Sequence, residues 1–315
     1  MAMDLDGPLF LQQNGWLTSR KNKILDIGPQ NIYHVREEQI REFMANQGAS
    51  AAARDGRLEK EISRLVYFSI PRPEERTTMF SEITDLTNIE YVSIDVCPGL
   101  KSTEILDLNF DRLPDRMHRG YDVVFNFGTT EHIVNQWNCL NVIHDALAVG
   151  GVAYHQLPAS GYLDHGYFCY TPLLFRDLAK ANGYVIEHLA MTPAGESCID
   201  ALGIRSLAGD TLRKQTGHLG RDNRIPALNL HVILRKTRDE PFRAALEIAT
   251  AHSSVSAGVL DRYPGAIVGA SRIGTTAADQ ELAAIKASKS WRYTQPLRDA
   301  SHAARRALNR LRTHT

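Results

Sequence analysis

Short runs of apolar residues recur along most of the chain, and each run ends at a glycine or a polar residue. A run of about four to eight apolar residues that is closed in this way is typical of a strand buried on both faces of a parallel sheet. The pattern predicts strands at residues 23–28, 91–95, 104–107, 121–126, 152–157, 184–189 and 228–234.

Between these runs, apolar residues recur at the spacing of a helix. Residues 34–66 are rich in charge and carry apolar residues three or four positions apart, which predicts two helices broken near Gly48 and Gly56. Further helices are predicted at 78–86, 135–148 and 171–182. We expect Gly150 and Gly151 to end the second of these, since glycine commonly follows a helix. The alternation of strands and helices predicts an α/β fold with a doubly wound, mostly parallel sheet.

The composition changes after residue 235, where Ala, Ser and Thr become frequent. We therefore expect one domain over 1–235 and a helical C-terminal appendage over 236–315. The basic tail, residues 286–315, contains eight basic residues and one acidic residue, although the whole chain has no net charge. Its apolar residues recur at helical spacing, which predicts an amphipathic helix. This helix either contacts a membrane surface or a protein partner, or packs on the acidic body of its own chain.

Composition excludes several classes of protein. With 43% hydrophobic residues and no net charge, the chain is neither disordered nor a general nucleic-acid binder. It has an acidic N-terminus and no apolar stretch of about 18 residues, so we expect a cytoplasmic protein. The four cysteines show neither disulfide nor zinc spacing, and no metal is expected.

Polar groups follow four of the predicted strands, at the sheet edge where ligands bind in open parallel sheets. Asp26 and Gly28 end the first strand, where glycine permits close backbone approach to a ligand. Asp95 ends the second and suits the two hydroxyls of a ribose. After the third, Asp107 suits an adenine amino group and Leu108 covers the ring; Asn126 and Gly128 follow the fourth.

The order of these pieces resembles the class I S-adenosylmethionine-dependent methyltransferases. The segments that carry the resemblance are ILDIG (24–28), YVSID (91–95), ILDLNFDRLP (105–114), YDVVFNFGTTEHI (121–133), LAVGG (147–151) and VAYHQLP (152–158). The resemblance implies a Rossmann-like fold and S-adenosylmethionine as cofactor. It places Asp26 and Gly28 at the methionine portion, and Asn126 and Gly128 at the near face of the cofactor. It also places Asp95 at the ribose, with Asp107 and Leu108 at the adenine.

The chain departs from the family pattern after the first strand. Gly28 is followed by Pro29, Gln30 and Asn31 rather than by further glycines, and we expect Gln30 and Asn31 to supply polar contacts instead. The acid of the second strand also lies far from the first, which indicates a helical insertion at 33–75. We expect this insertion to form a lid over the acceptor site, where the molecule that receives the methyl group binds. A nicotinamide dinucleotide is excluded, because the G-x-G-x-x-G motif is absent.

Three histidines are candidates for the base that removes a proton from the acceptor. His132 follows the fourth strand, where it either acts in catalysis or caps the next helix. His155, in the fifth strand, is either catalytic or a hydrogen-bonded core residue. His165 lies in an aromatic loop, where it either acts as base or orients the loop. We favour His165, because Asp164 and Tyr167 adjoin it and related methyltransferases often carry a histidine there.

The acceptor is indicated only by weaker patterns. Residues 290–298 (SWRYTQPLR) resemble tails of proteins of bacterial surface-polysaccharide assembly, which favours a saccharide or glycolipid hydroxyl, followed by a small molecule. The acceptor atom is a hydroxyl oxygen or an amine nitrogen. Aromatic residues of the loop either line the acceptor pocket or pack in the core: Tyr162, Tyr167, Phe168 and Tyr170. A methyltransferase-like module that binds without catalysing is the alternative function.

Overall fold

The described residues of the protein form a seven-stranded sheet. The computed structural model describes residues 3–50, 57–72, 75–98, 103–193, 227–247, 257–260 and 262–263. The strands are β1 (Lys23–Ile27), β2 (Glu90–Asp95), β3 (Thr103–Ile105), β4 (Tyr121–Phe127), β5 (Leu147–Ser160), β6 (Tyr184–Pro193) and β7 (Leu228–Lys236). Their order is β3-β2-β1-β4-β5-β7-β6, and β7 is antiparallel to both of its neighbours while the remaining pairs are parallel. The predicted mostly parallel sheet is confirmed.

Helices cover both faces of the sheet. They are α1 (Asp6–Gln13), α2 (Glu37–Gln47), α3 (Leu58–Ser69), α4 (Phe80–Thr84), α5 (Gln136–Ala146), α6 (Pro172–Asn182) and the short α7 (Ala257–Leu260). Successive residues of β1 point to opposite faces, so Ile24 belongs to one apolar cluster and Leu25 to another. The first cluster includes residues of α1 to α4, and the second includes residues of α5. The doubly wound α/β fold is therefore confirmed.

The segment 33–75 contains the two helices that its apolar spacing predicted, α2 and α3. Phe43 of α2 and Leu65 of α3 are fully buried, in the same cluster as Ile24 of β1. Burying a side chain of this size contributes about 1.5–3 kcal/mol to folding. These helices thus stabilise the sheet directly, and their role as a lid over the acceptor stays a prediction.

The structure corrects the predicted junction between α5 and β5. The helix ends at Ala146, and Gly150 and Gly151 lie inside β5 rather than after a helix. The register of β4 with β5 shifts between Tyr121 and Val123, opposite this part of β5. Gly150 has a φ of 87°, a left-handed conformation that favours glycine. The two glycines therefore accommodate an irregular strand start, which local sequence does not distinguish from a helix end.

Two further differences concern the helices. Helix α1 was not predicted, because its eight residues show no clear helical apolar pattern, yet Leu9 and Leu11 are buried in the core. His144 lies on α5 among residues that do not by themselves predict its burial, and it is 2% exposed. Its Nδ1 contacts the Tyr184 hydroxyl, and its Nε2 contacts the Glu240 carbonyl. These partners come from distant segments, so the sequence around His144 does not reveal them.

The C-terminal appendage is described only in small part. Residues 286–315, which include the predicted basic helix and the segment 290–298, lie outside the described residues. Within the described part of the chain, no helix is both long and apolar enough to cross a bilayer. The division at residue 235 and the roles of the tail stay predictions.

Candidate active site

A pocket of about 440 Å³, which we call the strand-end pocket, lies at the carboxyl ends of the parallel strands β1, β2 and β4. It extends to the residues that follow β3. This volume is within the range of about 300–1,000 Å³ that small-molecule sites occupy. It is lined by Gly28, Pro29, Gln30, Asn31, Ile94, Asp95, Val96, Leu106, Asp107, Leu108, Asn109, Phe127, Gly128, Thr129, His132 and Ile133. Seven of the nine residues predicted to bind the cofactor therefore meet at one cavity: Gly28, Gln30, Asn31, Asp95, Asp107, Leu108 and Gly128.

Gly28 makes the sharp turn that opens this pocket. Its φ is +85°, and a Cβ at this position would lie 2.6 Å from the Oγ1 of Thr129. The Gly28 N–H donates to the Ile94 carbonyl of β2, at 2.9 Å. Because both the backbone angle and the space exclude a side chain, glycine alone lets the ends of β1 and β4 approach this closely.

Two carboxylates line the pocket from the ends of β2 and the segment after β3. The Oδ1 of Asp95 accepts a hydrogen bond from the Cys97 N–H, at 2.9 Å. The Oδ1 of Asp107 accepts from the Asn109 N–H, also at 2.9 Å. Each carboxylate is thus oriented by its own turn. Leu108 lies beside Asp107 and is 5% exposed, so an apolar surface adjoins the acid.

Gln30 and Asn31 follow Gly28 where the methyltransferase family that the sequence resembles usually has further glycines. The Gln30 amide donates from Nε2 to the Gly28 carbonyl at 2.8 Å, so this side chain holds the turn at the pocket. Asn31 is exposed and lines the same cavity. Direct contact of either side chain with a ligand stays a prediction, and for Gln30 the structure adds a role in shaping the turn.

The remaining two predicted cofactor residues lie behind the pocket rather than on its surface. Asp26 is fully buried, and the Tyr91 hydroxyl donates to its Oδ2 at 2.7 Å. Burial raises the pKa of Asp26 well above its ordinary value. Asn126 is also buried, and its Nδ2 donates to the Thr130 Oγ1 at 2.9 Å. Each of them lies two positions before a glycine that lines the pocket, Gly28 and Gly128 respectively.

His155 lies on β5 next to Asn126. The Asn126 Nδ2 lies 3.1 Å from the His155 Nδ1, which therefore accepts and leaves the ring proton of the neutral form on Nε2. The ring is 2% exposed, and burial lowers the pKa of His155 to about 3. This geometry favours the second interpretation of His155, a hydrogen-bonded core histidine.

The other two candidate histidines meet at a buried carboxylate that the sequence analysis did not single out. Glu131 lies in a 3-10 turn, Thr130–His132, directly after β4. Its Oε1 is 3.5 Å from the His165 Nε2 and 3.8 Å from the His132 Nε2. We call these three residues the Glu131 cluster. The position of Glu131 between Thr130 and His132 was visible in the sequence, but its burial was not.

The Glu131 cluster combines a buried carboxylate with two partly exposed imidazoles. The Glu131 side chain is fully buried, and neither carboxylate oxygen has a hydrogen-bond partner among the described residues. Burial raises the pKa of Glu131 to about 7. The His132 and His165 side chains are 45% and 34% exposed. Burial lowers the pKa of both histidines, and the neighbouring His165 lowers that of His132 further.

The loop that carries His165 is held against Glu131 by the backbone. The N–H groups of Tyr167 and Phe168 donate to the Glu131 carbonyl at 2.8 and 3.3 Å. A Cβ on Gly166 would lie 2.9 Å from the Glu131 Cγ and 3.0 Å from its carbonyl oxygen, so glycine permits this approach. His132 does not cap α5, because the Asn135 side chain accepts from the Asn138 N–H there.

The aromatic residues of this loop divide between packing and exposure. Tyr170 is 4% exposed, and its hydroxyl donates to the Gln136 Oε1 at 2.7 Å. The Tyr162 hydroxyl donates to the Asn229 Oδ1. Tyr167 is 72% exposed. Packing therefore accounts for Tyr170, whereas contact with an acceptor stays a prediction for the exposed Tyr167.

No family model and no curated protein sequence matches the chain. Solved structures similar to it include a SAM-dependent methyltransferase from Archaeoglobus fulgidus, with 12% identity, 72% of this chain and 91% of that chain covered, and a TM-score of 0.37. A 1,6-didemethyltoxoflavin-N1-methyltransferase from Burkholderia thailandensis is 11% identical; the match covers 74% of this chain and 79% of that chain, with a TM-score of 0.38. An S-adenosylmethionine-dependent methyltransferase from Mesorhizobium loti is 15% identical; the match covers 74% of this chain and 100% of that chain, with a TM-score of 0.36.

Proposed function

We propose that the protein binds S-adenosylmethionine in the strand-end pocket and transfers its methyl group to a hydroxyl or amine of a small molecule or saccharide. The observation that carries this proposal is the pocket itself. It combines two carboxylates, Asp95 and Asp107, with the side-chain-free turn at Gly28. A nucleoside with a charged amino-acid tail requires this combination of ribose and base acceptors with a close backbone approach.

The residues present fit that cofactor. Asp95 is the acceptor for the ribose hydroxyls, and Asp107 with the apolar Leu108 receives the adenine. Gly28 and Gly128 both line the pocket, so they present backbone rather than side chains to the methionine portion. When bound, S-adenosylmethionine supplies an electrophilic methyl group on a sulfonium. The exposed Asn31 lies at the same rim and adds a polar group to it.

The Glu131 cluster supplies the groups that handle the acceptor proton. His132 lines the cofactor pocket, and His165 faces the same Glu131 oxygen, with its ring centroid 4.9 Å from that of His132. A neutral imidazole is an effective base near neutral pH, and the nearby carboxylate stabilises the imidazolium that forms. We retain His165 as the leading base, with His132 as the alternative. Catalysis then consists of holding the acceptor in line and removing its proton.

Calorimetric titration with S-adenosylmethionine and S-adenosylhomocysteine tests the cofactor proposal. We expect binding to the native protein and about 10- to 100-fold weaker binding to Asp95→Asn, since charged hydrogen bonds contribute about 1.5–3 kcal/mol. Glu38→Gln removes the same charge from an exposed position of α2 and is the matched control. Equal affinity in all three proteins, or no binding to the native protein at millimolar ligand, contradicts the proposal.

A binding module without catalysis is the second candidate function. It is favoured by the first turn, where Gly28 is followed by Pro29, and where the Gln30 amide is committed to the Gly28 carbonyl. This candidate predicts S-adenosylhomocysteine binding without methyl transfer to any acceptor. Screening labelled methyl transfer to glycans and small hydroxylated acceptors separates the two candidates. His165→Asn reduces turnover without loss of cofactor affinity if the enzyme proposal holds.

A further inference from the structure

We propose that the Glu131 cluster is a binding site for one divalent transition-metal ion, with Glu131, His132 and His165 as its protein ligands. No metal was expected from the sequence, because its motifs and cysteine spacing match no metal site and these ligands lie in two separate segments. The three potential ligand atoms come from two segments, the turn after β4 and the loop after β5. They all lie within 4.8 Å of one another.

The buried carboxylate is the first observation behind this proposal. Glu131 is fully buried, and both of its oxygens are without a hydrogen-bond partner among the described residues. Leaving such a group unsatisfied costs free energy, so a buried orphan polar group calls for a partner. The groups that face it are the Nε2 atoms of His132 and His165, at 3.8 and 3.5 Å. Both distances are too long for hydrogen bonds.

The same distances suit a bridging cation. Ligand bonds of about 2.0–2.2 Å in a tetrahedral site place neighbouring ligand atoms about 3.3–3.6 Å apart. The His165 contact lies within this range, and the His132 contact exceeds it slightly. Both histidines are partly exposed, so their side chains can move this far at little cost. The backbone bonds from Tyr167 and Phe168 to the Glu131 carbonyl hold the two segments together without the ion.

The ligand set indicates the class of metal. Imidazole nitrogens favour Zn²⁺, Fe²⁺, Co²⁺ or Ni²⁺, whereas Mg²⁺ and Ca²⁺ prefer sites made of oxygens. Two histidines and one carboxylate leave positions open for water or substrate, as in catalytic rather than structural zinc sites. We therefore assign the site to a transition metal with at least one exchangeable position.

The location of the metal site indicates which ligand occupies its open coordination position. His132 belongs both to the cluster and to the lining of the strand-end pocket, so the ion lies beside that pocket. A cation lowers the pKa of a coordinated hydroxyl and fixes its orientation. This part rests on the proposed function: the acceptor is a hydroxyl compound that binds the ion through oxygen. Because the Nε2 atoms of His132 and His165 are then metal ligands, the hydroxyl proton passes to water and the ion takes over the role of the base.

Titration of the purified full chain with Co²⁺, followed by visible absorbance, tests the site without cofactor or acceptor. At about pH 8 we expect one Co²⁺ per chain, displaced by Zn²⁺, because metal ligands must be deprotonated to bind. Glu131→Gln and His165→Asn are expected to weaken binding at least about a hundredfold, since even outer partners of metal ligands contribute 10- to 100-fold. Thermal unfolding of each variant verifies that it is folded.

His34→Asn is the matched control. His34 is exposed and has a φ of 53°, a left-handed conformation that asparagine also adopts, so this variant removes an imidazole without strain. Native affinity in His34→Asn, together with its loss in the folded cluster variants, supports the site. The proposal is overturned if the native protein shows no saturable Co²⁺ binding at millimolar concentration, or if His165→Asn binds like the native protein. Because no S-adenosylmethionine is present, neither result bears on the cofactor pocket.

Discussion

The strand-end pocket and the Glu131 cluster are neighbours that share His132, but the chain builds them differently. Each wall of the pocket is the end of a strand together with residues among the first six that follow it. The cluster instead joins the turn after β4 to a loop beyond β5, through backbone bonds to the Glu131 carbonyl. The pocket is thus a sum of local turns fixed by the sheet, whereas the cluster exists only through contact between distant segments.

This difference predicts that the two regions can be damaged independently. A side chain added inside a strand-end turn blocks the pocket and also strains the sheet edge. A side chain added in the loop after β5 separates His165 from Glu131 and leaves the sheet unchanged. The same two readouts, S-adenosylhomocysteine affinity and Co²⁺ affinity, report on both regions, and a selective loss in one of them is the expected pattern.

The largest effect is expected for Gly28→Ala. The new Cβ lies 2.6 Å from the Thr129 Oγ1, which is a clash. The alanine must also keep the φ of +85° at this residue, a backbone strain of about 1–3 kcal/mol. We expect a free energy of unfolding lower by more than this strain alone, and calorimetry should detect no S-adenosylhomocysteine binding. Gly15→Ala has a similar φ of +72° with no atom within 4 Å, and it serves as the control for strain without a clash. Equal stability and equal ligand binding in the two variants would show that the clash is relieved.

Gly166→Ala is expected to have a smaller and more selective effect. Its Cβ would lie 3.0 Å from the Glu131 carbonyl oxygen, a backbone atom, so the loop must move away from β4. Because ligand geometry must be held within about 0.5 Å, we expect Co²⁺ affinity to fall about tenfold or more. The affinity for S-adenosylhomocysteine should stay unchanged. Gly258→Ala, which meets no atom within 4 Å, is the control. Parallel loss of both affinities would contradict the independence of the two regions.

His155→Gln gives the smallest effect, and it appears only as a function of pH. Burial lowers the pKa of His155 from 6.5 to about 3, so between these values the unfolded chain binds a proton that the folded chain does not. This contribution is fully present above pH 6.5 and is lost as the pH falls, by about 1.4 kcal/mol per pH unit. Gln keeps an acceptor for the Asn126 amide but does not titrate.

Denaturant unfolding at several pH values measures this effect. Between about pH 6 and 4, the free energy of unfolding of His155→Gln should fall less steeply than that of the native protein. The difference in slope should be that of one bound proton, about 1.4 kcal/mol per pH unit. Other buried groups titrate equally in both proteins, so the difference between them isolates His155. Identical slopes would mean that His155 binds its proton over the same pH range in the folded and unfolded protein, which would restore it as a catalytic candidate.

Local patterns predicted most of the fold because each depends on neighbouring residues. The apolar runs gave all seven strands, and Gly183 ends α6 in the left-handed conformation typical of a residue after a helix. The error at Gly150 and Gly151 has the same origin, since glycines suit both a helix end and an irregular strand. Helix α1 was missed because its burial comes from packing on the sheet rather than from an apolar period of its own.

The sequence by itself determined the order of the strands along the chain, the polar groups at their ends, and two of the three members of the Glu131 cluster. These properties follow from periodicity and from the chemistry of single residues. Only the tertiary structure decided that Asp26 and Asn126 lie behind the pocket, that His155 is a core residue, and that the buried Glu131 carboxylate faces two imidazoles. Burial and pairing depend on which distant segments pack together, and no local pattern contains that information.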